Sequence, residues 1–248
     1  MIHLTQLLTF EIGRKCNYSH IHTTCPIDLI PRADRVITDE LIIKAACDAY
    51  LELGFEGLIN WSIYSEPMMQ HERMLDLMVK IRSLVPQSRF YLWTNASIVV
   101  NDDRMKLFEM TYISNYEKRT FEELFARGYY NVKTRMEGQE LDDRMNHYGE
   151  PNNNPCTSMF SDFLIANDGE VFICCHDWMN EVKIGNLFDL SLKELDARRW
   201  EYAKQISGKQ MTDKAHDACI RCRFKWPMTR TNIDIWNRAM QEITKMPF

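Results

Sequence analysis

The sequence lacks any apolar run approaching the ~20 residues that would span a bilayer, so no membrane span is expected. Its opening, MIHLTQLLTFEIGRKC, has no charged region followed by a long apolar stretch, so no secretory signal is expected. A basic excess is missing as well. The formal net charge is −5, which argues against nucleic acid as the main partner. There is no internal repeat and no low-complexity tract, which removes repeat architectures. What remains is a packed soluble chain, and 45% apolar with 26% charged residues is a composition that can build a core. The expected compartment is a reducing cytoplasm. There, eight cysteines read as metal ligands or core thiols rather than as disulfides.

What is present is an alternation of strand and helix signals. Residues 4–12 read as a first strand that ends at Gly13. Residues 38–53 read as a helix with Thr38 as N-cap and Gly54 as stop. A second strand over 57–64 runs into Ser65-Glu66-Pro67, and a helix over 70–84 follows. The third strand, 89–93, ends in Thr94-Asn95-Ala96. Next come a helix over 102–110, a strand over 110–114 closing on Ser114, a helix over 119–127, and a strand over 130–136 containing Arg135. Strands and helices alternating at this spacing predict an α/β fold built on an incomplete parallel barrel. In such folds the strand ends carry the chemistry.

The pattern breaks near 138–156, a loop-rich join with Gly138, Gly149, Pro151 and Pro155. We therefore expect a barrel domain over 1–148 and a second module over 149–248. In that module 160–166 and 170–174 flank Asn167-Asp168-Gly169, a hairpin signal, and a helix follows over 191–207.

The strongest chemical signal is Cys156, Cys174, Cys219 and Cys222. Cys219 and Cys222 form a CxxC pair, whose turn lets two thiolates converge on one centre. The hairpin can return Cys174 towards Cys156. Four thiolates suit zinc or a cubane cluster, and the spacing alone does not choose between them. Cys175 lies on the opposite face of its strand and reads as a core or neighbouring thiol. A second set lies in the loop after the first strand: Cys16, His20, His22 and Cys25, with Pro26 following.

These features resemble the radical S-adenosylmethionine (radical SAM) family. Cys156-x12-Gly169-x4-Cys174, then Ile184-Gly185-Asn186 and Cys219-x2-Cys222, is similar to the twitch form of the SPASM auxiliary-cluster domain over roughly 156–226. Cys16-Asn17 and Cys25-Pro26 match the outer ligands of the family's CxxxCxxC loop, but the middle cysteine is missing. His20 takes its place counting forward, and His22 counting back. An imidazole in place of a thiolate raises a cluster's potential, whereas reductive cleavage of SAM needs a strongly reducing one.

The resemblance implies a partial parallel (β/α)6 barrel with a small β-hairpin-plus-helix iron–sulfur module and a C-terminal helix. It implies two [4Fe-4S] clusters and S-adenosyl-L-methionine as cofactors. It places Ser65 and Glu66 at the amino group of SAM, Asn95 at its ribose or in shaping the loop, Ser114 at its ribose or carboxylate, and Arg135 at a carboxylate. The activity it implies is hydrogen abstraction from a small hydroxyl-bearing molecule, with a reductant such as flavodoxin or ferredoxin as partner. Two alternatives stand beside it. One is a peptide-modifying enzyme of the same family, disfavoured because no peptide-recognition segment precedes the barrel. The other is a non-catalytic metal-binding module.

Overall fold

The computed structural model describes residues 2–21, 25–30, 33–135, 156, 158–177, 179–206, 219, 222 and 230–245. The join expected over 138–156, apart from Cys156, lies outside the described residues, as does His22.

Among the described residues eight strands form one sheet: Leu7–Phe10 (β1), Leu58–Asn60 (β2), Phe90–Thr94 (β3), Phe108–Ser114 (β4), Val132–Arg135 (β5), Asp162–Ile165 (β6), Glu170–Phe172 (β7) and Gly185–Asn186 (β8). Their order is β5-β4-β3-β2-β1-β6-β7-β8. Strands β1 to β5 pair parallel in succession, and β6 adds parallel to the other side of β1, with Leu8 opposite Phe163. The sixth parallel strand is thus the first arm of the expected hairpin. Strands β7 and β8 then continue antiparallel. The fold is α/β with a mostly parallel, open sheet.

Alternation along the strands separates two faces. Leu8, Phe10, Ile59, Phe90 and Leu92 are wholly buried in the main core. The helices Asp39–Cys47 (α1) and His71–Leu84 (α2) add Ile42, Ala46, Met74, Met78 and Ile81 to it. Thr38 caps α1 by accepting from the Leu41 amide at 3.3 Å. The apolar positions of α2 recur at helical spacing, so one stripe is buried and the rest stays polar. On the sheet's other face Leu164, Ala166 and Phe172 form a second, small cluster, against which Ile63 and Cys175 pack.

One expectation is corrected. The helix expected over 102–110 is only a tight 3-10 turn, Asp103–Leu107, and Phe108 to Met110 already belong to β4. The Asp102 side chain accepts from the Arg104 amide at 2.8 Å and fixes the turn. Phe108 is wholly buried and pairs with Phe90, so tertiary burial decides against local helical propensity.

The second half is built on the main core. Ser158–Ser161 leads into β6, and the helix Leu192–Ile206 (α3) buries Leu195 and Trp200. Arg199 on α3 is nearly inaccessible, donating to the Asp162 carbonyl at 2.9 Å, Thr5 Oγ1 at 2.8 Å and Asp196 at 3.1 Å. Asp196 in turn accepts from the Ile2 amide, tying the start of the chain to this helix. A last helix, Arg230–Lys245 (α4), buries Ala239. No helix among the described residues is long and apolar enough to cross a membrane.

Candidate metal and cofactor site

The C-terminal ends of the parallel strands gather a set of polar side chains. Glu11, just past β1, is fully buried and its Oε1 accepts from the amides of Tyr64 at 2.8 Å and Ser65 at 2.9 Å. It was not among the expected site residues. An acid directly after an apolar strand and before Gly13 was the available signal.

Glu66 lies beyond β2. Its carboxylate accepts from the Met68 amide at 3.1 Å, the Thr94 hydroxyl at 2.6 Å and the Asn95 amide at 2.8 Å. It therefore caps the 3-10 turn Pro67–Gln70 and pins the end of β3 to the end of β2. Burial pushes its pKa up, while these three donors pull it back. The Glu66 amide donates to the Lys15 carbonyl at 2.9 Å, so the cysteine loop is tied to the same point. Asn95 extends the network: its Nδ2 donates to Asn17 Oδ1 at 3.0 Å, and Asn17 Nδ2 donates to Ser97 Oγ at 2.7 Å. Glu66, Asn95 and the residue after Cys16 thus stand together.

Ser65 is buried, and its hydroxyl has no hydrogen-bond partner among the described residues. A buried hydroxyl without a partner is costly unless a ligand supplies one. Ser114 accepts from the Trp93 indole at 2.9 Å and sits in register with Arg135, two strands along the same edge. The Arg135 side chain lies outside the described residues.

In the loop after β1, Cys16 is half-buried and His20 is exposed. His20 stacks on Tyr18 with centroids 6.3 Å apart, and Tyr18 stacks on Tyr116 at 5.4 Å. Cys25 is buried at the start of the short helix Pro26–Leu29.

Cys156, Cys174 and Cys219 pack against the main core, half-buried. Burial pushes the Cys174 thiol well up, and negative charge on Cys175, Cys156 and Cys219 would push it further. Burial likewise raises Cys219 to about 12, with Cys156 and Cys222 adding to it and a hydrogen bond from Tyr202 opposing it. The Tyr202 hydroxyl donates to Cys219 Sγ at 3.3 Å. Charge on Cys156 or Cys219 would thus bear on Cys174, and charge on Cys156 or Cys222 on Cys219. Among the described residues no three Cys, His, Asp or Glu side chains gather tightly enough for a single metal ion.

Four thiols form a donor set that suits zinc or an iron–sulfur centre. Crowded thiols with raised pKa values are unfavourable as anions unless a cationic centre joins them. Cys175 is half-buried and packs against the small cluster of the opposite face. In the N-terminal loop the described residues include two thiols and one imidazole, Cys16, Cys25 and His20.

Comparison with known proteins agrees with this architecture. Residues 156–223 match the SPASM family model, an iron–sulfur cluster-binding domain. A crystal structure of BtrN in complex with AdoMet and 2-DOIA superposes with a TM-score of 0.60 at 14% identity, covering 90% of this chain and 98% of that one. BtrN in an open conformation gives 0.60 at 13% identity, covering 92% and 100%. Streptococcus suis SuiB bound to its precursor peptide SuiA gives 0.45 at 13% identity, covering 79% of this chain and 65% of that one. No curated protein matches by sequence. The chain is thus a mostly parallel α/β protein that shares the fold of BtrN, and its residues 156–223 match the SPASM model.

Proposed function

We propose that this chain is a radical SAM oxidoreductase that dehydrogenates a small hydroxyl-bearing, sugar- or aminocyclitol-like substrate. The observation that carries the reading is the convergence at one sheet edge of Glu66, Asn95 and the cysteine loop, with the Ser65 hydroxyl buried beside them and without a partner among the described residues. The cysteine spacing of the second module is similar to that of the butirosin-pathway 2-deoxy-scyllo-inosamine dehydrogenase, which supports the substrate class.

Cys16, Cys25 and one of His20 or His22 would hold the first cluster; Cys156, Cys174, Cys219 and Cys222 would hold the second. When bound, the two clusters supply one-electron cleavage of SAM to a 5′-deoxyadenosyl radical and an acceptor for the substrate's electron. The chain's own residues bind and orient. Three donors hold the Glu66 carboxylate in place, and an ammonium beside it would reverse the burial penalty on its charge. The Ser65 hydroxyl would find its missing partner on the same ligand. Asn95 and Ser114 would face ribose or carboxylate oxygens, and Arg135 a carboxylate. Flavodoxin or ferredoxin would supply electrons, in the cytoplasm.

A non-catalytic cluster-binding module is the second reading. It is favoured by His20, which is exposed and stacked on Tyr18 where the family has a thiolate. Electron paramagnetic resonance of the anaerobically reconstituted, reduced protein separates the two. The enzyme reading expects a SAM-dependent change in the cluster signal. It should be lost in Cys16→Ala and in only one of His20→Ala and His22→Ala. A signal that SAM never perturbs leaves the module.

A further inference from the structure

Arg14 lies two residues before Cys16, yet its side chain turns to the hairpin that leads to Cys174. Its Nε donates to Asn167 Oδ1, and its Nη2 donates to the carbonyls of Ala33 at 2.5 Å and Arg35 at 2.8 Å. The same two segments are joined again by main-chain groups. The Ile37 amide donates to the Asn167 carbonyl at 2.8 Å, and the Ala33 amide to Asp168 Oδ2 at 3.3 Å. Arg35 lies over the Phe188 ring, 3.5 Å from its centroid.

The far side of the turn is fixed as firmly. Gly169 has a φ of +83°, and a Cβ there would stand 2.6 Å from Asn186 Oδ1 and 2.8 Å from the Phe188 ring. Asn186 donates to the Asp168 carbonyl at 3.0 Å, and the Leu187 amide to the Gly169 carbonyl at 2.8 Å. Asn167 and Asp168 are both buried. The turn cannot move without disturbing both the segment 33–37 on one side and the strand to Cys174 on the other. A planar fork with several donors can join three acceptors in this way; an ammonium on a flexible stem cannot hold the same geometry.

We propose that Arg14 is a positioning residue that couples the two cysteine sites. Closure of the Cys156, Cys174, Cys219 and Cys222 corner on its centre steadies the Asn167–Gly169 turn. Arg14 transmits that order to residues 33–37 and to the loop bearing Cys16. The coupling is reciprocal, since a shared free energy favours order at both sites together. The proposal rests on the reading of those four thiols as one metal-binding set, and it does not depend on turnover.

The test is hydrogen exchange at the Ala33 and Ile37 amides of the anaerobically reconstituted full chain, with iron counted on each sample. In the wild-type background Cys219→Ala should speed exchange there by roughly tenfold, the scale of losing one or two hydrogen bonds. With Arg14→Ala already present, Cys219→Ala should add little. Asn167→Ala, which removes the acceptor of Nε and leaves the cysteine loop's sequence intact, should abolish the coupling in the same way should Arg14→Ala not fold. Arg14→Lys should fail to restore it. Unchanged exchange in Cys219→Ala, with iron lowered, overturns the coupling alone. A full Cys219→Ala effect surviving in both Arg14→Ala and Asn167→Ala overturns the role of Arg14. Iron unchanged in Cys219→Ala removes the four-thiol reading, and the proposal with it.

Discussion

The loop after β1 and the corner formed by Cys156, Cys174, Cys219 and Cys222 both offer soft donors, but the chain holds them differently. At the corner Cys156, Cys174 and Cys219 pack against the main core, burial raises the pKa of Cys174 and Cys219, and Tyr202 donates to Cys219. The loop has an exposed His20, a half-buried Cys16 and a buried Cys25, and is tied through neighbouring residues, by Lys15, Asn17 and Arg14. A site closed by four protein ligands is part of the core and shares its folding free energy. A site that must admit a small molecule to its metal has to stay accessible, so its backbone is fixed from the side. The different packing of the two sites matches their different proposed tasks.

Deleting one thiol at each site gives the largest expected contrast. Cys219→Ala should remove roughly half of the iron and lower the melting temperature clearly, since metal binding at a closed site contributes several kcal/mol or more. Cys16→Ala should remove about as much iron and lower the melting temperature far less. Thermal melts with iron and sulfide counts on the same reconstituted samples read both. Equal destabilisation by the two variants would break the contrast, and unchanged iron in Cys219→Ala would remove the four-thiol site.

Glu66→Gln should come next. An amide of the same shape keeps one acceptor oxygen and presents a donor where the carboxylate accepted from the Asn95 amide. A buried hydrogen bond to a charged group is worth about 1.5–3 kcal/mol, and the variant should lose stability on that scale. The loss should appear in denaturant melts of the protein without SAM. A neutral variant would mean that Glu66 serves a ligand and not the strand ends.

Much of this was legible in the sequence because the relevant forces are local. Alternating apolar runs marked β1 to β5, Thr38 marked its helix start, and Asn167-Asp168-Gly169 marked the β6–β7 hairpin. The CxxC pair and the order of the four cysteines pointed to one site. Three features were not legible. Asp103–Leu107 has helical composition, but the burial of Phe108 opposite Phe90 ends the turn. The parallel pairing of β6 with β1 joins residues about 155 apart in sequence, as Leu8 with Phe163, which no periodicity reports. Glu11 and Arg14 act through partners more than fifty residues away in sequence, Tyr64 and Ser65 for one and Asn167 for the other. An acid after an apolar strand marked Glu11 as a position of interest, but neither residue type names such distant partners.

The smallest expected effect sits between the two regions. The Tyr64 hydroxyl donates to the Cys175 carbonyl at 2.8 Å, and the Tyr64 amide donates to Glu11. Its ring meets Phe172 edge-on, with centroids 6.3 Å apart. The residue therefore spans from the loop preceding Glu66 to the strand end that carries Cys174. Tyr64→Phe removes only the hydroxyl and keeps the ring packing, so the stability loss should be about 1 kcal/mol, the net value of one hydrogen bond. The Cys175 carbonyl is then left to find another donor. If the link also sets the position of Cys174, the cluster signal of the C-terminal site should shift in line shape while the iron content stays the same. If the hydroxyl only satisfies a carbonyl, the melting point should fall slightly and the spectrum should not change. Denaturant melts and electron paramagnetic resonance on the same preparation distinguish the two. An unchanged spectrum would leave the contact at Arg14 as the path by which the two sites sense each other.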